Sequence, residues 1–431
     1  MSEITLQPTT TPLKGKCFVP GDKSISHRAV FFGALAQGKT EITNFLTGDD
    51  CLTTIKAFES MGVQITQHDE HVEIDSEGYK HFKEPTQPID LGNSGTTARL
   101  LLGVLSGLPF HTTLFGDQSL TKRPMDRVTI PLREMGANID GREEGKYLPL
   151  AVRGQALSAI TFKPEVKSAQ VKSGVLLAGL LANGTTTVVE STKTRDHTEN
   201  MLQAFGAEVT VDGLAIHIEG KQTLKGTTIQ VPRDISSAAF FIVAALIVKG
   251  SKITVKDVGL NPTRTGILDA IKLMGATLDI KETTNIGGEI IGDVTVSYQT
   301  PKGAVIEGDI IPRMIDEIPI LALLASQAEG QTVIKDAEEL RFKETDRIDS
   351  VVHTLRLFGC HVQPTPDGMI IEGSQTLTGA TADSHGDHRI GMMIAIASLI
   401  ATGETTLTDK EAINVSYPSF FDHLTALTND K

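Results

Sequence analysis

Cysteine is scarce: Cys17, Cys51 and Cys360 are the only three in 431 residues, they lie far apart, and no CxxC spacing occurs. A disulfide scaffold and a zinc ribbon are both excluded, and the pattern suits a reducing compartment. Positive charge is also in short supply, with 40 Lys and Arg against 53 Asp and Glu and a formal charge of −13. That balance argues against a general nucleic-acid or acidic-membrane surface, so an anionic ligand has to be met by a local basic pocket. No long apolar run is present, the longest being the 11 residues Ala238 to Val248, where a membrane helix needs about 20. The opening MSEITLQPTTTPLKGK has no apolar core and is read as no secretory signal, and the expectation is a cytoplasmic protein. There is no Trp and only 5% aromatic residues, yet 40% of residues are apolar, which excludes a disordered or collagenous chain. The length suits two or three domains with a sizeable core. Sequence signatures of common sites are missing as well: no GxxxxGK[ST] loop, no HExxH and no GxSxG.

What is present is repetition. Six segments rich in Ala, Leu and Ile close at Gly38, Gly107, Gly184, Gly250, Gly330 and Gly403, 66 to 80 residues apart. Five of the six are followed by a short β-branched run, as in KTEIT or TTTVV, which reads as helix, glycine stop, strand. A second series runs between them: FESMGVQI, LREMGANI, LQAFGAEV, IKLMGATL and LRLFGCHV, with Gly62, Gly136, Gly206, Gly275 and Gly359. These glycines fit the position just past a helix end, where positive φ is needed. The pattern predicts six copies of one α/β module of about 70 residues, the last ending in a helix, PSFFDHLTALTND, without a following strand. A module this small buries its apolar helix poorly alone, so the copies are expected to pack helices inward with sheets outside.

Polar and basic residues crowd the N-terminal ends of the apolar helices. PGDKSISHRAV places Lys23, Ser24 and Arg28 there, LGNSGTTARLL places Asn93, Ser94, Gly95, Thr96 and Arg99, KSAQVKSG places Ser168, Gln170 and Lys172, and SHGDHRIGM places Asp387, His388 and Arg389. Capping accounts for Ser and Asn at such positions but not for the accompanying cations. Free amides and the positive end of the helix dipole favour anions, so these clusters point to phosphate or carboxylate. In GDQSLTKRPMDR, Pro124 keeps Arg123 out of a helix, which suggests a loop display. In LRFKETDRIDS, Lys343 and Arg347 read as i and i+4 on one helical face with Glu344 beside them. Asp316 and Glu317 precede an apolar helix, as capping carboxylates or with one as a catalytic base. His68 with His71, and His385 with His388, look metal-like at a glance, but Arg389 beside the second pair would repel a cation, and no metal is expected.

PGDKSISHR, LGNSGTTAR, KRPM, SAQ, IDEIP, FKETDR and GDHR together resemble the 5-enolpyruvylshikimate-3-phosphate synthases, or 3-phosphoshikimate 1-carboxyvinyltransferases, over essentially the whole chain. The resemblance implies a two-lobed inside-out α/β barrel built from six repeated βαβαββ-type modules, with an active cleft between the lobes. It implies one lobe of residues 1–22 plus 237–431, another of 23–236, and a hinge near 20–23 and 234–238. The family moves the enolpyruvyl group of phosphoenolpyruvate to the 5-hydroxyl of shikimate 3-phosphate and releases phosphate. By similarity Lys23, Ser24, Arg28, Ser168, Ala169, Gln170, Arg195, Asp316 and Lys343 would contact the shikimate substrate. Lys23, Gly95, Arg123, Gln170, Arg347 and Arg389 would contact phosphoenolpyruvate, and Asp316 and Glu344 would move protons with help from Lys23. The resemblance implies no metal or organic cofactor, a monomer, and inhibition by glyphosate.

Three departures stand out. Many members have Ser-Ser-Gln where this chain has Ser168-Ala169-Gln170, many have Pro at the position of Leu100, and many have Lys at the position of Val415. The rival reading is the sister transferase acting on UDP-N-acetylglucosamine. That family usually opens with Lys-Asn and carries a loop Cys or Asp, whereas here Lys23 is followed by Ser24 and the KRPM loop has no Cys.

Overall fold

The structure is a computed structural model that describes residues 2–286 and 288–428. The chain divides into two compact units, Met1–Asp22 with Pro232–Lys431, and Lys23–Val231. Each has its own apolar core.

In the Lys23–Val231 unit the module is plainest in its second copy. Strand Ile89–Asp90 leads to helix Gly95–Ser106, strand His111–Phe115, helix Asp126–Glu134 and the hairpin Asn138–Gly141 and Tyr147–Arg153. The first two strands pair in parallel and the hairpin adds antiparallel. A parallel pair needs a crossover, and the inner helix supplies it. The third copy repeats this with helices Ala169–Leu181 and His197–Ala204. The first copy has helices Lys23–Leu35 and Asp49–Ser60, but its leading strand is Thr228–Gln230 from the far end of the unit, paired in parallel with Glu41–Thr43.

The other unit is built the same way. Its inner helices are Ile235–Ile247, Ile318–Ser326 and His388–Ser398, and its outer ones Gly266–Leu273, Arg347–Leu357 and Phe420–Thr428. The leading strand of its first module is Lys14–Cys17, which pairs in parallel with Lys252–Val255. Among the described residues the last module shows no closing hairpin, as its sequence predicts, and Glu3–Leu6 pairs antiparallel with Thr405–Thr408 in its place. Each passage of the chain from one unit to the other falls between a leading strand and an inner helix. Within the first unit the passing segments bond to each other, Asp22 N to Pro232 O at 2.8 Å and Asp234 N to Pro20 O at 2.9 Å. The division at 231 rather than 236 follows from this, since residues 232–234 pair with 20–22 before the next helix begins.

Helix composition follows position. Every residue of Ile235–Ile247 is buried, which suits a helix apolar on all sides, whereas outer helices such as Gly266–Leu273 bury one face only. The glycines of the Met-Gly and Phe-Gly series all have φ between +81° and +103° and sit two residues past an outer helix. In the first series five glycines also have positive φ, but they turn the chain three to five residues beyond the inner helix rather than capping it. Gly107 is the exception with φ −96°, because three residues intervene before the next strand begins at His111. Inner helices approach closely where glycine permits: a Cβ on Gly103 would stand 2.1 Å from the Gly174 carbonyl oxygen.

Candidate active site

In the Lys23–Val231 unit the polar residues of the three inner-helix N-termini form two linked groups. In the first, Arg99 donates from Nη1 to Gln170 Oε1 at 2.6 Å, and Gln170 Nε2 donates to Thr96 Oγ1 at 2.9 Å. Arg123, nearly buried, folds back from the extended residue before Pro124 and donates to Asn93 Oδ1 at 2.5 Å and to the Asn93 carbonyl at 3.2 Å. Gly95 starts its helix beneath both guanidinium groups: a Cβ there would lie 2.9 Å from Arg99 Nη1 and 3.3 Å from Arg123 Nη1. Ser94 caps the helix by accepting from Thr97 N at 3.2 Å. Ser168 precedes the third helix and makes no side-chain capping bond.

The second group centres on Arg28, which is buried. Its Nε donates to Thr198 Oγ1 and its Nη2 to Ser173 Oγ, both at 2.7 Å, and its Nη1 reaches the Ser24 carbonyl at 3.0 Å. Ser173 Oγ donates in turn to the Ala169 carbonyl at 2.6 Å. Arg195 Nη1 donates to Ser24 Oγ at 3.2 Å. Lys23 forms an ion pair with Asp50, a partner that nothing in the motif singles out. Lys172 is different from the other cations at these ends: it is fully buried and pairs with Glu190 at 3.0 Å and Glu199 at 2.7 Å, so it faces the interior. Membership in the anion-facing set is corrected for Lys172 on that ground.

The other unit gathers carboxylates as well as cations. Asp316 Oδ1 accepts from Lys343 Nζ and from Arg347 Nη1, each at 3.1 Å. Arg347 also donates to Glu344 Oε2 at 2.6 Å and to both oxygens of Asp387, at 2.8 and 3.2 Å. Burial opposes the charge of this guanidinium, but Asp387, Glu344 and Asp316 outweigh it and hold the group protonated far above neutral pH. Lys343 and Arg347 do not share a helical face, contrary to the i, i+4 reading. Asp346 caps a helix that begins at Arg347, and Lys343 is extended after the 3-10 turn Glu338–Phe342. Both still reach Asp316, because Asp346 accepts from Asp349 N and Thr345 bonds to Asp387, which fixes the connection.

Asp387 caps its own helix at Arg389 N, 2.9 Å. Arg389 is buried, and its Nε and Nη1 have no hydrogen-bond partner among the described residues. A buried guanidinium left in that state is suited to an incoming anion. Glu317 does not cap the helix it precedes; its side chain bonds Ser236 Oγ, and burial raises its carboxyl above the usual range against the pull of Arg264 and Arg389. Arg264, buried between Asp234, Ser236 and Asp22, was not signalled by any sequence motif. Val415, at the family's lysine position, is half-buried at the end of the 3-10 turn Lys410–Val415.

Of the residues expected to act, Gly95, Arg123 and Gln170 belong to one group, and Ser24, Arg28, Ala169 and Arg195 to the group beside it. Asp316, Lys343, Glu344 and Arg347 form one hydrogen-bonded set in the other unit. Among the described residues no cluster of three or more His, Cys, Asp or Glu could hold a metal ion, and no helix is long and apolar enough to cross a membrane.

Cations at helix N-terminal ends in each unit, joined in one of them by the carboxylates Asp316 and Glu344, suit an enzyme acting on small anionic substrates. A family profile described as EPSP synthase (3-phosphoshikimate 1-carboxyvinyltransferase) matches residues 8–424, and the chain belongs to that family. Among its relatives, the 3-phosphoshikimate 1-carboxyvinyltransferase of Bacillus cytotoxicus is 56% identical over 96% of this chain and 98% of its own. That of Geobacillus thermodenitrificans is 56% identical over 98% of this chain and 99% of its own. A solved EPSP synthase structure from Acinetobacter baumannii superposes with a TM-score of 0.87 at 44% identity, covering 99% of this chain and 98% of that one.

Proposed function

We propose that this chain transfers the enolpyruvyl group of phosphoenolpyruvate to the 5-hydroxyl of shikimate 3-phosphate and releases phosphate, a step of aromatic biosynthesis. The observation that carries the reading is the pairing of two carboxylates, Asp316 and Glu344, on the one buried guanidinium of Arg347. The reaction needs that combination. The 5-hydroxyl loses a proton and attacks C2 of phosphoenolpyruvate while C3 gains one, giving a tetrahedral phosphoketal; C3 then returns its proton as the C2–O bond to phosphate breaks. Two carboxyl groups exchanging protons with opposite ends of the same addition provide both directions. A fixed cation between them stabilises charge that appears and disappears without reorganising.

In this reading Asp316 and Glu344 move the protons, and Lys23 assists. Ser24, Arg28, Ser168, the Ala169 backbone, Gln170, Arg195 and Lys343, with Lys23 and Asp316, contact shikimate 3-phosphate. Lys23, Gly95, Arg123, Gln170, Arg347 and Arg389 contact phosphoenolpyruvate. Glyphosate competes at the phosphoenolpyruvate groups, and the enzyme works in the cytoplasm as a monomer without nucleic-acid or membrane partners, in keeping with its net charge of −13. The test is phosphate release by the purified protein given phosphoenolpyruvate with shikimate 3-phosphate or with UDP-N-acetylglucosamine. Turnover with the first alone is expected; turnover with the nucleotide sugar alone would refute the reading.

A further inference from the structure

A buried ammonium ties down both ends of the connection that carries Arg195. Lys172 lies on the inner helix Ala169–Leu181 with no exposed surface, its Nζ 3.0 Å from Glu190 Oε2 and 2.7 Å from Glu199 Oε1. Glu190 follows strand Thr185–Val189 and Glu199 lies in the first turn of helix His197–Ala204, so the stretch 190–199 spans the connection between them and that first turn. At the first end the other Glu190 oxygen accepts from the backbone N of Thr194 at 3.2 Å and also from its hydroxyl, so the turn just before Arg195 is held on the same carboxylate. At the second end Thr198, beside Glu199, accepts from Arg28 Nε and bonds Ser173, the residue after Lys172. Lys172 and Ser173 thus grip Glu199 and Thr198 as neighbouring rungs.

Stability alone does not explain the arrangement. Burial raises the Glu199 carboxyl above its usual range against the attraction of Lys172, and Glu199 Oε2 has no hydrogen-bond partner among the described residues. Buried ion pairs of this kind are often no better than an apolar side chain of the same volume. What an apolar residue cannot do is hold two separate points of a connection at fixed distances from one atom.

We propose that Lys172 is a positioning residue for the acceptor substrate: through Glu190 and Glu199 it sets the 190–199 connection so that Arg195, and Arg28 by way of Thr198, meet the anionic groups of that substrate. The inference rests on the assignment of Arg28 and Arg195 to shikimate 3-phosphate.

The test compares Glu190→Gln, which keeps an acceptor for Thr194 but removes the charge facing Lys172, with the uncharged triple variant Lys172→Met/Glu190→Gln/Glu199→Gln, since both carboxylates face the ammonium. Each is measured by phosphate release, with circular dichroism to establish folding. The KM for shikimate 3-phosphate is expected to rise about tenfold or more, the loss of roughly one charge-assisted hydrogen bond, while kcat and the KM for phosphoenolpyruvate stay within about threefold. Adding Glu190→Gln to Arg195→Ala is expected to raise that KM no further. A loss confined to kcat or melting temperature, or fully additive KM effects, would overturn the positioning role. An unchanged KM in Arg195→Ala alone would instead remove the substrate assignment, and this inference with it.

Discussion

Substituting Gly95 with Ala tests the phosphoenolpyruvate assignment at its most crowded point. The nearest atoms to the new Cβ would be the ends of three side chains: Arg99 Nη1 at 2.9 Å, Arg123 Nη1 at 3.3 Å and Leu120 Cδ1 at 3.8 Å. Gly95 is helical with ordinary φ, so Ala brings no strain and gains up to about 1 kcal/mol of helix propensity. The fold is therefore expected to survive, with the guanidinium groups pushed aside by a few tenths of an ångström. Those shifts fall on short bonds, 2.6 Å from Arg99 to Gln170 and 2.5 Å from Arg123 to Asn93. A hydrogen bond to a charged group contributes about 1.5–3 kcal/mol. Arg123 is assigned to phosphoenolpyruvate, and displacing it so that such a bond to the substrate loses half or more of its strength removes about 1–2 kcal/mol from binding, a factor of roughly 5–30 in affinity. Steady-state phosphate release against phosphoenolpyruvate concentration is expected to show a KM raised by that factor with kcat little changed. Glyphosate, the bulkier occupant, is expected to lose more, read as a larger rise in its inhibition constant than in KM. An unchanged KM, or equal losses for substrate and inhibitor, would refute the placement of Gly95 against the donor.

Asp316→Asn and Glu344→Gln keep shape and remove one carboxylate each, and either is expected to lower kcat at least roughly 100-fold while Arg347 retains two anionic partners; near-normal turnover in both would remove the acid-base assignment. Gly103→Ala drives a Cβ to 2.1 Å from the Gly174 carbonyl, a backbone clash expected to cost about 1–3 kcal/mol and several degrees of melting temperature, and an unchanged melting curve would contradict the close helix approach. His27 is buried beside Thr54, and burial, with Lys23 and Arg28 adding to it, lowers its pKa well below 6.5. The unfolded chain then binds a proton below pH 6.5 that the folded protein refuses, so stability is full above that pH and falls as pH drops through the interval. Against a His27→Asn variant, urea midpoints are expected to show the wild type losing about 1.4 kcal/mol more per pH unit below pH 6, and parallel pH profiles would contradict a neutral buried imidazole.

The repeat was legible because glycine leaves a mark on sequence. The Met-Gly and Phe-Gly positions need positive φ just after a helix, and all five have it. Cations at helix openings were legible too, since capping does not call for Lys or Arg. Partners were not. Nothing in KSAQVKSG separates Lys172, sealed between Glu190 and Glu199, from Arg99, which reaches Gln170; both are basic residues within a turn or so of a helix start. The spacing of Lys343 and Arg347 suggested one helical face, but Asp346 takes the cap and starts the helix later.

The sequence by itself determined the six modules and, through the order of its motifs, the family and its class of reaction, because periodicity and motif order are local properties of the chain. Only the tertiary structure decided that Thr228–Gln230 completes the module begun at Lys23 and that Lys14–Cys17 leads the one continued at Ile235. It alone decided that one buried guanidinium, Arg347, serves Asp316, Glu344 and Asp387 together. Strand exchange and charge pairing join residues tens to hundreds of positions apart, and the energy that selects them comes from burial and Coulomb attraction across space, which no local pattern encodes.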